Sequence, residues 1–215
     1  MPSSFKQFSD FEHLHRGQSI LVCGLGESLN LLKDPENYLT IGVNDIGRKF
    51  HPTYLLNVNL KQQYKGDRWQ HIESTRAKVI FTHIPNHQPA GKPVVTFKLG
   101  KVADVEIADG KLPHYRNSPY VAVCLAAYMG ARKIGLLGVD FTQNHFWVKD
   151  GPHRLERELA QIDQQYGKLS KYLVDRGARI VNLSPISRLT SIPKERLEDF
   201  GKPETEYCVD RLVGA

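Results

Sequence analysis

Gly24, Gly26 and Ser28 stand in the order Gly24-Leu25-Gly26-Glu27-Ser28, directly after the apolar run Ser19-Ile20-Leu21-Val22-Cys23 and before Leu29-Asn30-Leu31-Leu32. Glycines at such a turn let backbone N–H groups approach a ligand closely, and a helix starting there directs its positive end at the same point. The chemistry they suit is phosphate binding. The third glycine of the dinucleotide fingerprint is missing, as is the lysine of a P-loop, so neither NAD nor a kinase-type ATP site is the first reading. The competing reading is a tight turn alone, with Ser28 capping the helix. If the turn holds a phosphate, Gly26→Val is expected to block the ligand and leave the fold largely intact.

Polar residues recur where apolar runs end. Asn44-Asp45 follows Leu39–Val43, Asn57-Val58-Asn59 follows Thr53–Leu56, Asn117-Ser118 opens a helical segment, and Asp140 closes Lys133–Gly138. Side-chain amides there can read a base or a ribose through paired donors and acceptors, although each is also a common turn former. His145 and His153 lie in the segment Asn144-His145-Phe146-Trp147-Val148-Lys149-Asp150-Gly151-Pro152-His153. A histidine titrating near neutrality suits general-base work, and a solvated loop histidine is the plain alternative for each. Asp140 is a third base or a metal ligand, or a cap of the next turn.

The elements that must position these residues alternate along the chain. Strands are expected at 19–23, 39–43, 53–57, 78–82, 133–138 and 179–183, most of them continuously apolar, as in a sheet covered on both faces. The fold class is α/β, a Rossmann-like and mostly parallel sheet with helices on both faces. With Ser118 as N-cap and Pro119 in the first turn, a helix runs to about Met129 that is apolar nearly all round and so buried. From Arg154 to Arg176, Leu155, Leu159, Ile162, Tyr166, Leu169 and Leu173 form an amphipathic stripe that Gly177 ends, which makes Tyr166 a core residue. Residues 83–117 break the pattern with His, Pro, Gly and short extended pieces, as expected of a flap beside a crevice or of a plain surface hairpin. The expected organisation is one domain over 1–193 and a charged tail over 194–215.

Composition narrows the classes. The chain has 215 residues, enough for one sizeable core, and a formal net charge of +6. That surface attracts anions without marking a nucleic-acid binder; a nucleic-acid acceptor stays open. Cys23, Cys124 and Cys208 are far apart, and no C-x-x-C pair exists, which argues for a reduced, cytoplasmic setting and against structural zinc. No apolar run has the length of a membrane span, and Met1–Lys6 carries no apolar leader core.

Taken together, Gly24–Leu29, Gly42-Val43-Asn44-Asp45, Asn57-Val58-Asn59, Asn117-Ser118-Pro119-Tyr120 and Ile134–Phe141 resemble the bacterial sialyltransferases that use CMP-sialic acid. They are also similar to the superfamily of proteins like archaeal hydroxymethylpterin diphosphokinase. The resemblance covers roughly residues 19–192 through short motifs. It implies a nucleotide site made by Gly24, Gly26, Ser28, Asn44, Asn59, Asn117 and Ser118, holding a nucleotide-activated sugar, a CMP-sugar in preference, for transfer to an unknown acceptor. Val181-Asn182-Leu183-Ser184-Pro185 looks like the family's last strand and turn. The family's general-base histidine falls here at about Gln161, which cannot take a proton. His153, immediately before the long helix, is the favoured replacement and His145 the second. Two other classes stay open. A pyrophosphokinase acting on a small heterocyclic alcohol would require Mg²⁺, with Asp45, Asp140 and Asp150 as its carboxylates; a nucleotide-binding module would carry no catalysis.

Overall fold

Apolar runs with no polar face must be covered on both sides, and the fold does this with one parallel sheet. In a computed structural model that describes residues 7–85, 91–108, 110–149 and 155–201, nine strands form: β1 (Ser19–Cys23), β2 (Thr40–Val43), β3 (Tyr54–Leu56), β4 (Val79–Thr82), β5 (Val94–Thr96), β6 (Lys98–Val102), β7 (Lys111–His114), β8 (Lys133–Leu137) and β9 (Arg179–Asn182). Seven of them make a sheet in the order β5-β4-β3-β2-β1-β8-β9, all neighbours parallel. β6 and β7 pair with each other in a second, two-stranded parallel sheet. The Rossmann-like α/β class expected from the sequence is the one observed. One strand is added to the main sheet: Val94–Thr96, read as part of the irregular insertion, is its edge strand beside β4.

Alternation along each strand divides the core. Ile20, Val22, Ile41, Val43, Tyr54, Leu56, Val79 and Phe81 face one side, under helices α2 (Ser118–Tyr128) and α3 (Leu159–Val174) and the N-terminal Phe8 and Phe11. Leu21, Cys23, Leu55, Ile80 and Leu137 face the other, covered by Leu29, Ile46 and Phe200 and by Ile72 of the six-residue helix α1 (Arg68–Glu73). The second face therefore has little regular helix. The segment after the glycine turn, expected as a helix, is a 3-10 turn over Glu27–Leu31 with Gly26 at its N-cap. Its few N–H groups sum to little dipole.

The caps also differ from expectation in detail. Asn117 and not Ser118 caps α2, its Oδ1 accepting from the Tyr120 N–H at 3.0 Å. The long helix begins at Leu159, preceded by a 3-10 turn over Glu156–Glu158, and ends as expected near Gly177, whose φ is +76°. Residues 194–201 dock beside β9: the Asn182 N–H donates to the Pro193 carbonyl, and the Glu195 N–H to that of Asn182, so the outer edge of β9 is covered. Lys133, buried at the start of β8, pairs with Glu195. Cys208 and the rest of the tail lie outside the described residues.

Asp163 on α3 ties down the segment before that edge. Its carboxylate accepts from the Thr190 N–H and hydroxyl and from the Ser191 N–H and hydroxyl, at 2.6–3.0 Å. Burial raises its pKa, but the four hydrogen bonds outweigh burial and hold it below the usual carboxylate value. A depressed folded-state pKa gives stability that is present above the unfolded pKa and lost as pH falls through the folded one. Asp163→Asn should therefore lower stability at pH 7 by about 1 kcal/mol, after discounting for its partial exposure. In melts of parent and variant across pH, the gap should close only on the acid side; a gap unchanged down to pH 2 would contradict the assignment.

Candidate functional site

The carboxyl ends of the strands open into a cavity of about 820 Å³, within the range of small-ligand sites. β1 lies at the switch point of the sheet, with β2 on one side and β8 on the other, where ligands of open α/β sheets bind. At that junction the two exit turns touch backbone to backbone. A Cβ on Gly24 would sit 2.3 Å from the Gly138 carbonyl oxygen, so only glycine fits. The Gly24 N–H donates to the Leu137 carbonyl and the Gly26 N–H to that of Gly138.

Asp140 closes the turn. It is buried; its Oδ2 accepts the Ser28 N–H at 2.8 Å and its Oδ1 the Ser28 hydroxyl at 2.6 Å, while Ser28 Oγ accepts from the Gly138 N–H. Ser28 thus joins two turns, its hydroxyl satisfying the Gly138 amide, and is not the N-cap of the turn over Glu27–Leu31, which is Gly26. Both oxygens of Asp140 are occupied, and the amides of Gly24, Gly26 and Ser28 are spent within the protein. Gly26 and Asp140 line the cavity, whereas Gly24 and Ser28 stand behind it and hold the junction.

The strand-end amides come together as a connected set. Asn44, at φ +54°, leaves β2 in the left-handed conformation that asparagine tolerates. Its Oδ1 accepts from Asn59 Nδ2 at 3.0 Å and lies 3.0 Å from the Tyr64 hydroxyl and 3.3 Å from that of Ser118. Asn57 is fully buried and shapes the turn after β3 through both its amide groups, which sends Asn59 toward Asn44. Burial pushes the Tyr64 hydroxyl up, so it stays a proton donor. Asn117 lines the cavity too, but its Oδ1 takes the Tyr120 N–H and the Tyr166 hydroxyl, and its Nδ2 donates to the Tyr115 carbonyl. Tyr166 is a core residue, as its place on the stripe requires, and its hydroxyl orients Asn117.

His145 reaches the cavity because its loop is laced to the glycine turn. Gly26 and His145 form a β-bridge, the Phe146 N–H donates to the Leu25 carbonyl, and Asn144 Nδ2 donates to Glu27 at 2.7 Å. The His145 ring packs against Trp147. His153, like Asp150, lies outside the described residues. Gln161, on α3, accepts a long hydrogen bond from the Tyr115 hydroxyl at 3.4 Å.

Four residues of the cavity wall were not singled out in the sequence. Arg68 lines it and is clamped bidentately by the fully buried Asp45, at 2.9 and 2.6 Å, while lying over the ring of Tyr64. Arg116, at φ +56°, pairs with Glu158. His83 follows β4 and His114 ends β7; burial lowers the pKa of both, and for His83 the nearby His114 adds to the effect. Asp45 and Asp140 are thus each engaged elsewhere, and among the described residues no group of three or more His, Cys, Asp or Glu forms a metal-ligating cluster. No described helix is long and apolar enough to cross a membrane.

No protein-family model and no curated protein matches the chain. Solved structures do match, by shape. A Maf glycosyltransferase from Magnetospirillum magneticum AMB-1 superposes with a TM-score of 0.59 at 9% identity over 87% of this chain, which spans only 37% of that protein. The sialyltransferase CstII in complex with a trisaccharide acceptor and CMP gives 0.51 at 14% identity, over 86% of this chain and 88% of that one. The fold is glycosyltransferase-like. CstII from Campylobacter jejuni with CMP-3FNeuAc, a substrate analogue, gives 0.50 at 13% identity, over 92% and 95% of the two chains. At these identities the likeness carries the architecture and no assignment of individual residues.

Proposed function

We propose that the cavity binds a nucleotide-activated sugar, a CMP-sugar in preference, and that the protein transfers the sugar to an acceptor. The observation that carries this reading is the joined set Asn44, Asn59 and Ser118 at the strand ends, beside Lys65, Arg68 and Arg116 in the same cavity wall. Amides and a hydroxyl suit the edge of a base or a ribose; cations suit a phosphate or a sugar carboxylate. Asp140 is the carboxylate in that wall, and it is already saturated by Ser28. The glycosyltransferase-like fold, and CMP in the solved sialyltransferase complexes, support the same reading.

The glycine turn contributes shape more than phosphate-binding amides, because the N–H groups of Gly24, Gly26 and Ser28 are engaged internally. The test is calorimetry with CMP, UDP, GDP, ADP and ATP, each with and without Mg²⁺. CMP binding that needs no Mg²⁺ is the expected result. Binding of ATP alone, and only with Mg²⁺, would replace this reading with a pyrophosphokinase.

Asn44→Gly and Asn59→Ala should each weaken CMP binding by about 1–3 kcal/mol, the cost of leaving a buried ligand group unpaired. Glycine is chosen at position 44 because it keeps the positive φ without strain. Unchanged affinity in both variants would remove the amide set from the site.

A further inference from the structure

We propose that His114 is the proton acceptor of the transfer step, an assignment that rests on the cavity holding a nucleotide-activated sugar. His114 ends β7, and its carbonyl accepts from the Ala103 N–H at 3.1 Å, which fixes the strand end. A tight turn then carries the chain into α2: Tyr115 and Asn117 form a bridge, the Asn117 N–H donates to the Tyr115 carbonyl at 2.6 Å, and Arg116 takes a left-handed conformation. Non-glycine residues hold such conformations where the surrounding structure imposes them, often at functional sites. Through this turn His114 is placed four residues ahead of Ser118, whose hydroxyl contacts Asn44. The turn thus joins the His114 backbone to Ser118 and, through its hydroxyl, to Asn44.

Two other candidate bases of the cavity, Asp140 and His145, are held by neighbours. Both oxygens of Asp140 belong to Ser28, and the His145 ring packs on Trp147. The His114 ring lines the cavity, is part-buried, and has no hydrogen-bond partner among the described residues. His83, a second imidazole in the same wall, is near enough to disfavour a positive charge on the pair, and its Nδ1 is buried without a partner. Burial also lowers the pKa of His114, so the ring is neutral at pH 7 and one ring nitrogen keeps its lone pair.

In the step, the acceptor hydroxyl oxygen forms a bond to the anomeric carbon of the donor. The bond from that carbon to the phosphate oxygen breaks, and its electron pair leaves with the nucleoside monophosphate. The hydroxyl proton passes to the free nitrogen of His114 and from there to solvent.

The experiment uses CMP-sialic acid as donor and water as acceptor, following CMP release, with CMP affinity measured separately by calorimetry. His114→Ala and the more conservative His114→Asn should each lower turnover by about 100-fold or more, with CMP affinity within about threefold of the parent. Added imidazole should restore part of the activity of His114→Ala, which a purely structural role would not allow. Parent-like turnover in both variants overturns the assignment, as does a loss of CMP affinity as large as the loss of rate. A parent that binds CMP yet releases none from CMP-sialic acid overturns the catalytic role and leaves the donor site standing. A parent that binds no CMP overturns the donor reading and the assignment with it.

Discussion

Gly26→Val should abolish CMP binding and also destabilise the protein by about 3 kcal/mol or more, the upper part of the range for overpacking a tight site. A Cβ at position 26 would lie 2.4 Å from Asp140 Oδ2, 2.7 Å from its Cγ and 2.9 Å from the Gly138 carbonyl oxygen. The carboxylate cannot step aside cheaply, since moving it strands the buried N–H and hydroxyl of Ser28. Gly26 also bridges to His145, so the loop after β8 would shift with it. The sequence alone suggests a steric block that spares the fold; the structure puts the clash inside the protein before any ligand arrives. Thermal melts with parallel CMP titrations read both effects. A valine variant that melts with the parent and binds CMP as tightly would show that the junction is looser than described.

Arg68→Ala is expected to cost about 3–5 kcal/mol, the penalty for removing one partner of a buried ion pair. Asp45 has no solvent exposure, and Arg68 holds both of its oxygens with two parallel N–H donors. Arg68 also lies over Tyr64 and Trp147, so the truncation loosens the wall next to Asn44. Arg68→Lys keeps the charge but not the fork and should recover only part of the loss. In urea denaturation, Asp45→Asn combined with Arg68→Ala should be milder than the sum of the single changes, because the uncompensated buried charge is gone. Equal stability of Arg68→Ala and the parent would mean that the pair holds nothing.

How much of this was readable from the chain depended on the range of the interaction. The central strands read almost residue for residue: Ser19–Cys23 agrees fully and Thr40–Val43, Tyr54–Leu56 and Val79–Thr82 to within one residue at either end, because a strand buried on both faces is nearly the same thing as its apolar run. The gathering of Asn44, Asn59 and Ser118 followed from topology, since parallel strands bring all their carboxyl ends to one side. The segment Arg68–Glu73 is under two turns long and offers only Trp69 and Ile72 as apolar positions, so α1 left too short a periodic signal. Asp140 looked available because its partner Ser28 is distant in sequence and nothing local announces the pair. His83 and His114 stood in a stretch of broken pattern; His83 reaches the cavity from the end of β4, and His114 only through the packing of β7 against α2. A histidine closely preceding a capped, wholly apolar helix was the one local hint for His114.

The lock on the glycine turn also dictates an order of assembly. β1 finds β2 early, but its other neighbour, β8, and the carboxylate that fastens Ser28 belong to the far part of the chain, paired across Ser19↔Lys133 and Ser28 to Asp140. Loop closure of that length is slow and is repaid only when the distant contacts form. During synthesis the first five strands would therefore wait with one edge of β1 open, in the state most exposed to mispairing. The cavity takes shape only once β8 lies beside β1 and Asp140 seats on Ser28, so a chain cut short after α2 would have the glycines of the turn without the turn.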